Sequence, residues 1–221
     1  MAKRTFAELN GYIDTNCSPR RAALLRSFLL SLEEKDNAVS KAPASSKVSH
    51  HAAYEGGLID HIFSLTEYAA PFAGNAQYPG VTTESIVSVA VLHDIHKACD
   101  TMGNKAYVPN ISEKTGKRSE AQPFTKNAMF GWGSRTPEDT TETVFWKFLM
   151  ANYNQFFGGE VSLALIYALK QDLFAELSDD ERQAIRFHDG GFGPGRKSGG
   201  NECALTIVIH MADMMASRFG E

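Results

Sequence analysis

Cysteine is scarce in this chain: Cys17, Cys99 and Cys203 stand far apart, and no CxxC pair occurs. An odd, dispersed set argues against a disulfide framework and fits a reducing compartment, so a cytoplasmic location is expected. Long apolar runs are missing as well. No stretch approaches the roughly 18 residues that a membrane span needs, and Met1–Phe6 carries no apolar core of a secretory leader. Basic charge is not in excess: 22 Lys and Arg face 26 Asp and Glu, for a net charge of −4. Nucleic acid is therefore not demanded as a partner by overall charge, although a local basic patch is compatible with it. No internal repeat is present. What remains is 221 residues, 43% of them apolar, enough for one large domain with a sizeable core and at most one insertion.

The most informative stretch is Val89-Ala90-Val91-Leu92-His93-Asp94-Ile95-His96-Lys97. Thr82 or Thr83 can cap a helix that runs from there to about Ala98. Its apolar residues cover most of its circumference, so it should be central and buried. A His-Asp pair at the end of a buried helix is costly unless it is paired or binds a metal. Adjacent helical residues point about 100° apart, which still lets both side chains reach one ion. His61 lies at the border of the apolar stripe Leu58, Ile62, Leu65, Ala69, where a half-buried core-edge histidine is the plainer reading. Asp213 follows the apolar run Leu205–Met211 on the final helix and is subject to the same burial argument as Asp94.

The rest of the chain frames these residues. Helices are expected over 5–16 and 19–34, with Pro19 at a helix start behind Ser18, followed by a polar connector over 35–47. Residues 99–143 are rich in Gly, Pro, Thr, Ser and Asn, with scattered Lys, Arg and aromatics. They read as a long irregular excursion with a short hairpin around Tyr107–Phe124. Helical pattern resumes over Thr143–Asn154, is broken at Gly158-Gly159, and continues over Glu160–Lys170. Ser178 and Glu181 form a capping-box pattern for a helix reaching His188. The Gly-rich segment after it could act as a lid that brings Arg196 and Lys197 over an anionic ligand; a solvated basic loop is the alternative.

In order, His61, His93-Asp94 and Asp213 resemble the H…HD…D signature of the HD-domain metal-dependent phosphohydrolase superfamily. The surrounding residues extend the resemblance. His50-His51-Ala52-Ala53-Tyr54-Glu55-Gly56-Gly57-Leu58-Ile59-Asp60-His61 is similar to the "HHAYxGGLLEH" stretch of a branch that includes phage and bacterial HD hydrolases and the HD domains of 3′–5′ exoribonucleases. Leu92–Lys97 is similar to its "LHDIGK", Ala184–Phe192 to its "AIRWHMGGF", and Ile209–Asp213 to its "LHxAD". The likeness spans roughly residues 48–219.

The resemblance implies an all-α fold: an HD-domain helical bundle over 48–221 with a long irregular insertion at about 99–143, and N-terminal helices (1–47) packed on its core. It implies that His61, His93, Asp94 and Asp213 ligate one divalent ion (Mn, Fe, Co, Ni, Mg or Zn). His188 matches a family histidine that binds a second metal or contacts phosphate. Relatives often carry "GHGE" where this chain has Gly158-Gly159-Glu160, so a second metal is expected to be weak or absent. Asp94, Lys97 and His188 are the catalytic candidates; His51, Lys97, Arg196 and Lys197 are the substrate-binding ones. Lys97 stands one turn beyond His93, within reach of a phosphate, and His188, His51 or His210 could move protons. The expected activity is hydrolysis of phosphoester bonds in nucleotides or a related small phosphorylated metabolite. The alternatives are a 3′–5′ nuclease on single-stranded RNA or DNA and a non-catalytic nucleotide-binding module. No membrane partner is expected, and self-association is left open.

Overall fold

In the computed structural model, the described residues are 3–36, 38–45, 51–99, 158–190 and 202–219, together with the backbone of four short strands between 107 and 148. Among them are nine α-helices: α1 (Phe6–Asn16), α2 (Pro19–Glu33), α3 (Ala38–Lys41), α4 (Gly57–Ala69), α5 (Thr83–Leu92), α6 (Gly158–Leu169), α7 (Gln171–Glu176), α8 (Asp179–Phe187) and α9 (Ala204–Phe219). The fold is all-α. None of the described helices is long and apolar enough to cross a membrane.

Local chemistry sets the helix starts. Thr5 with Glu8, Thr82 with Ser85 and Ser178 with Glu181 each form a reciprocal capping box, which satisfies backbone donors that a helix cannot pair internally. Pro19 occupies the first turn of α2, but the Ser18 hydroxyl makes no cap; instead the Ser18 N–H donates to the Glu84 carboxylate of α5. Gly56 takes the left-handed conformation (φ 87°) at the start of α4, where other residues are strained. A Cβ on the neighbouring Gly57 would stand 2.0 Å from the Ala52 carbonyl oxygen, so the double glycine lets the 51–56 turn fold back against α4.

α5 is the central helix. Ser85 through Leu92 are all buried, and α1, α4, α8 and α9 pack around it. α4 also lies along α9, α8 along α6 and α9, and α2 against α7. One continuous apolar core results, running from Leu9, Ile13 and Phe28 of the N-terminal helices through Val89 and Leu92 to Ile209 and Ala212 of α9. The Arg21 guanidinium crosses this interior from α2. It pairs with Glu181 of α8 at 2.7 Å and donates to the Ser88 hydroxyl of α5 at 3.0 Å.

Five expectations need correcting. The helix expected to reach Ala98 ends at Leu92; Asp94 leaves helical geometry (φ −111°, ψ 15°), and a 3₁₀ turn follows over Ile95–Lys97. The connector over 35–47 contains the short helix α3. Gly158-Gly159 does not break a helix but begins α6. Tyr107 does not pair in a hairpin reaching Phe124: β1 (Tyr107–Pro109) pairs antiparallel with β4 (Trp146–Phe148), and β2 (Gln122–Pro123) with β3 (Thr141–Glu142). The strand at Trp146–Phe148 also replaces part of the helix expected over Thr143–Asn154. Its aromatic and β-branched neighbourhood suits extended backbone better than helix. The remainder of the 99–143 excursion lies outside the described residues.

Candidate metal centre

Three segments that are distant in sequence deliver the donors. His61 comes from the middle of α4, His93 caps the C-terminus of α5 with Asp94 just beyond it, and Asp213 comes from α9. His61 and His93 are buried, with 2% and 0% of their surface exposed. The His61 Nε2 lies 3.2 Å from the His93 Nε2, 3.0 Å from an Asp213 oxygen and 3.8 Å from an Asp94 oxygen. The His93 Nε2 lies 3.3 Å from Asp94 and 3.9 Å from Asp213.

Ring wiring fixes the direction in which these nitrogens present their lone pairs. The His93 Nδ1 lies 2.8 Å from the Ala90 carbonyl oxygen, which can only accept, so Nδ1 carries the proton. A ring protonated only there turns a bare Nε2 toward the cluster, the arrangement that orients metal-binding histidines. Burial pushes the His61 pKa down, against the opposing pull of Asp213, and this favours its neutral form. Burial also resists charge on the two carboxyls. The Lys97 ammonium, His93 and His188 nevertheless hold Asp94 well below the usual carboxylate range, and His61 with its neighbours does the same for Asp213.

The donors fit a metal. An ion about 2.0–2.2 Å from each of several donors separates neighbouring donors by about 3–4 Å, and the observed separations fall in that span. Two lone-pair nitrogens and two carboxylates facing one another inside a core require a cation between them or protons shared among them. His61, His93 and Asp94 could therefore hold a metal ion, with Asp213 in reach of His61 at 3.0 Å.

A second group adjoins the first. His188 caps the C-terminus of α8 as His93 caps α5, and its Nδ1 likewise faces the carbonyl three residues back, Ile185, at 2.8 Å. Its Nε2 lies 2.9 Å from Asp189 and 3.6 Å from Asp94. Despite burial, these carboxylates raise the His188 pKa well above the ordinary histidine range, so its imidazolium is favoured in the metal-free protein. His188, Asp189 and Asp213 also converge closely enough to hold an ion. The cluster meets solvent on one side. The Asp213 and Lys97 side chains are 17% and 16% exposed and Asp189 is 47% exposed, against 6% or less for His61, His93 and Asp94.

The other expected residues divide sharply. The Lys97 Nζ pairs with an Asp94 oxygen at the edge of the cluster. His51 stacks on His61 with ring centroids 4.6 Å apart, and burial together with His61 and Lys97 pushes its pKa down to about 3. The His51 Nε2 and the His61 Nδ1 are both buried, without a hydrogen-bond partner among the described residues. His210 does not face the cluster through its Nδ1, which donates to the His188 carbonyl at 2.6 Å. Arg196, Lys197 and His50 lie outside the described residues, and with them the proposed lid.

Three residues escaped sequence reasoning. Asp189 sat in a segment read as loop, although His188-Asp189 repeats the dipeptide His93-Asp94 and was its own signal. His96 is buried and bonded to Ser162, and burial pushes its pKa down to about 3. Ser162 has no local signature at all.

A scan against protein-family models and searches of curated proteins and of solved structures return no match to this chain.

Proposed function

We propose that this protein is a metal-dependent phosphohydrolase of the HD type, acting on nucleotides or a related small phosphorylated metabolite. One observation carries the reading: His61, His93, Asp94 and Asp213, in the order H…HD…D, converge from three helical segments, with the two histidine nitrogens 3.0–3.9 Å from each other and from the two carboxylates. Two imidazoles and two carboxylates roughly neutralise a divalent ion without excluding further ligands. A bound ion of this kind lowers the pKa of a water molecule and polarises a phosphoryl group.

The chain's own residues supply the remaining parts. Lys97 sits at the solvent-facing edge, where its ammonium can bind a phosphate oxygen and offset charge that develops there. His188 carries a proton on Nε2 beside Asp94 and Asp189, positioned to pass it to a departing oxygen. His51, kept neutral, offers an unpartnered nitrogen beside His61 for a substrate group or a water. The buried sides of the cluster keep bulk water from the donors, which strengthens every charge interaction inside.

The test is release of phosphate or pyrophosphate from a nucleotide panel with Mn, Fe, Co, Ni, Mg or Zn added singly, comparing wild type with Asp94→Ala. Metal-dependent release that Asp94→Ala lacks is the expected result. Binding of metal and nucleotide without turnover under any of these ions would replace an enzyme with a binding module. Degradation of a labelled single strand, with mononucleotides left intact, would assign a nuclease.

A further inference from the structure

We propose that Ser162, on a helix that supplies none of the four donors, is a positioning residue for the metal ligands His93 and Asp94. The inference rests on the metal-site reading above and adds a residue to it.

The argument starts at the end of α5. The last carbonyls of a helix have no intrahelical partner. His93 is the C-cap, and its carbonyl, buried in the core, accepts from the Ser162 hydroxyl at 2.7 Å. A serine hydroxyl has one proton, and here it is given to that carbonyl. The contact of the same oxygen with the His96 Nδ1, at 2.9 Å, must therefore have His96 as donor. The result is a relay, His96 Nδ1–H to Ser162 Oγ–H to the His93 carbonyl, with Ser162, His93 and His96 all at 1% exposure or less. It pins residues 93 and 96, the two ends of the turn that carries Asp94. Asp94 lies outside the helical region (φ −111°, ψ 15°), so α5 does not fix its direction; the relay across the turn does.

The same face of α6 reaches the second group. Gly159 is three residues before Ser162 and so shares its side of the helix. A Cβ at 159 would stand 2.0 Å from the Ile185 carbonyl oxygen and 2.8 Å from that of Arg186. α6 thus lies directly against the end of α8, where His188 and Asp189 begin. One helix holds the Asp94 turn through Ser162 and abuts the His188 end through Gly159. It thereby sets the separation of the two donor groups.

The test uses the full chain and Co²⁺ alone, reading dissociation constants by chelator competition and the visible spectrum of the bound ion. Ser162→Ala should weaken Co²⁺ binding about 10- to 100-fold and shift the spectrum, as loss of a residue that orients ligands does. Ser162→Thr, which keeps the hydroxyl, should restore most of the affinity. Ser88→Ala removes an equally buried serine hydroxyl bonded to Arg21 instead, and should lower thermal stability while leaving Co²⁺ affinity unchanged. If Ser162→Ala does not fold, His96→Phe removes the first donor of the relay and should weaken Co²⁺ binding in the same direction. Wild-type affinity in a folded Ser162→Ala or His96→Phe, or equal weakening by Ser88→Ala, overturns the proposal while the metal site stands. A wild type that binds no Co²⁺ overturns both.

Discussion

Lys97 and Cys17 show two fates of a reactive side chain at a helix end. Lys97 is drawn to Asp94 at the rim of the donor cluster, where the proposed function would place a substrate phosphate. Replacing it by Met removes a charge-assisted contact worth about 1.5–3 kcal/mol, so KM for the substrate should rise about 10- to 100-fold. Metal content should not change, because Lys97 is not a ligand; steady-state kinetics with metal analysis on the same sample checks both. The Cys17 thiol, by contrast, is pushed up to about 12 by burial and by the nearby Glu84 carboxylate. An unfolded thiol ionises near pH 8.5. Between roughly pH 8.5 and 12 the unfolded chain therefore holds fewer protons than the native one, and native stability falls as pH rises. Below that window both states keep the proton and Cys17 contributes no slope. Urea melts of wild type and Cys17→Ala from pH 8 to 10 should show a smaller alkaline loss in the variant; parallel losses would contradict the assignment. At this scale much of the centre was legible. His93, Asp94 and Asp213 each carry charge or polarity beside apolar runs, and burial makes such groups conspicuous. Ser162 was not legible, because an isolated serine in an apolar helix gives no sign of the carbonyl it will meet 69 positions away in sequence.

At the level of elements, α8 and α6 bear the clearest consequences. Glu181 closes the capping box of α8 and at the same time faces Arg21 in the interior. Breaking a buried pair leaves its partner charged and unsolvated, so Glu181→Ala should cost about 3–5 kcal/mol in urea denaturation. A loss below about 1 kcal/mol would mean that water reaches Arg21 in the native state. Gly159→Ala places a methyl group into the backbone of α8 and should cost about 1–3 kcal/mol through forced separation of the two helices. Helix starts were readable because their signals are local: Ser178 with Glu181 and Thr82 at the head of α5 act within three residues. The end of α5 was not. Apolar residues continue through Ile95, and the stop depends on the Asp94 backbone and on contacts from α6. The pairing of Tyr107–Pro109 with Trp146–Phe148 was equally hidden, since a ladder between strands so far apart leaves no turn signature between them.

For the whole molecule, the centre joins α4, α5 and α9, so an ion bound there would tie together helices far apart in sequence. An ion that binds the native state and not the unfolded one raises stability by mass action, about 2.7 kcal/mol at one hundred times its dissociation constant. Thermal unfolding with and without a chelator should show a lower Tm for the stripped protein, and readdition of the ion should reverse it. Hydrophobic periodicity marks the individual helices and burial marks the charge at Asp94 and Asp213, whereas the all-α class and the four-donor order are what the family resemblance implies. The proposed reaction would depend on how the solvent-facing side of the cluster receives a substrate, which is a property of assembled helices rather than of any one segment. The most direct measurement of the central claim is elemental analysis of the purified chain alongside Asp213→Ala and Asp94→Ala variants that remain folded. The account predicts about one equivalent of a divalent metal in the wild type and a large loss in both variants. Equal metal content in all three, or none in a wild type offered every candidate ion, would contradict it.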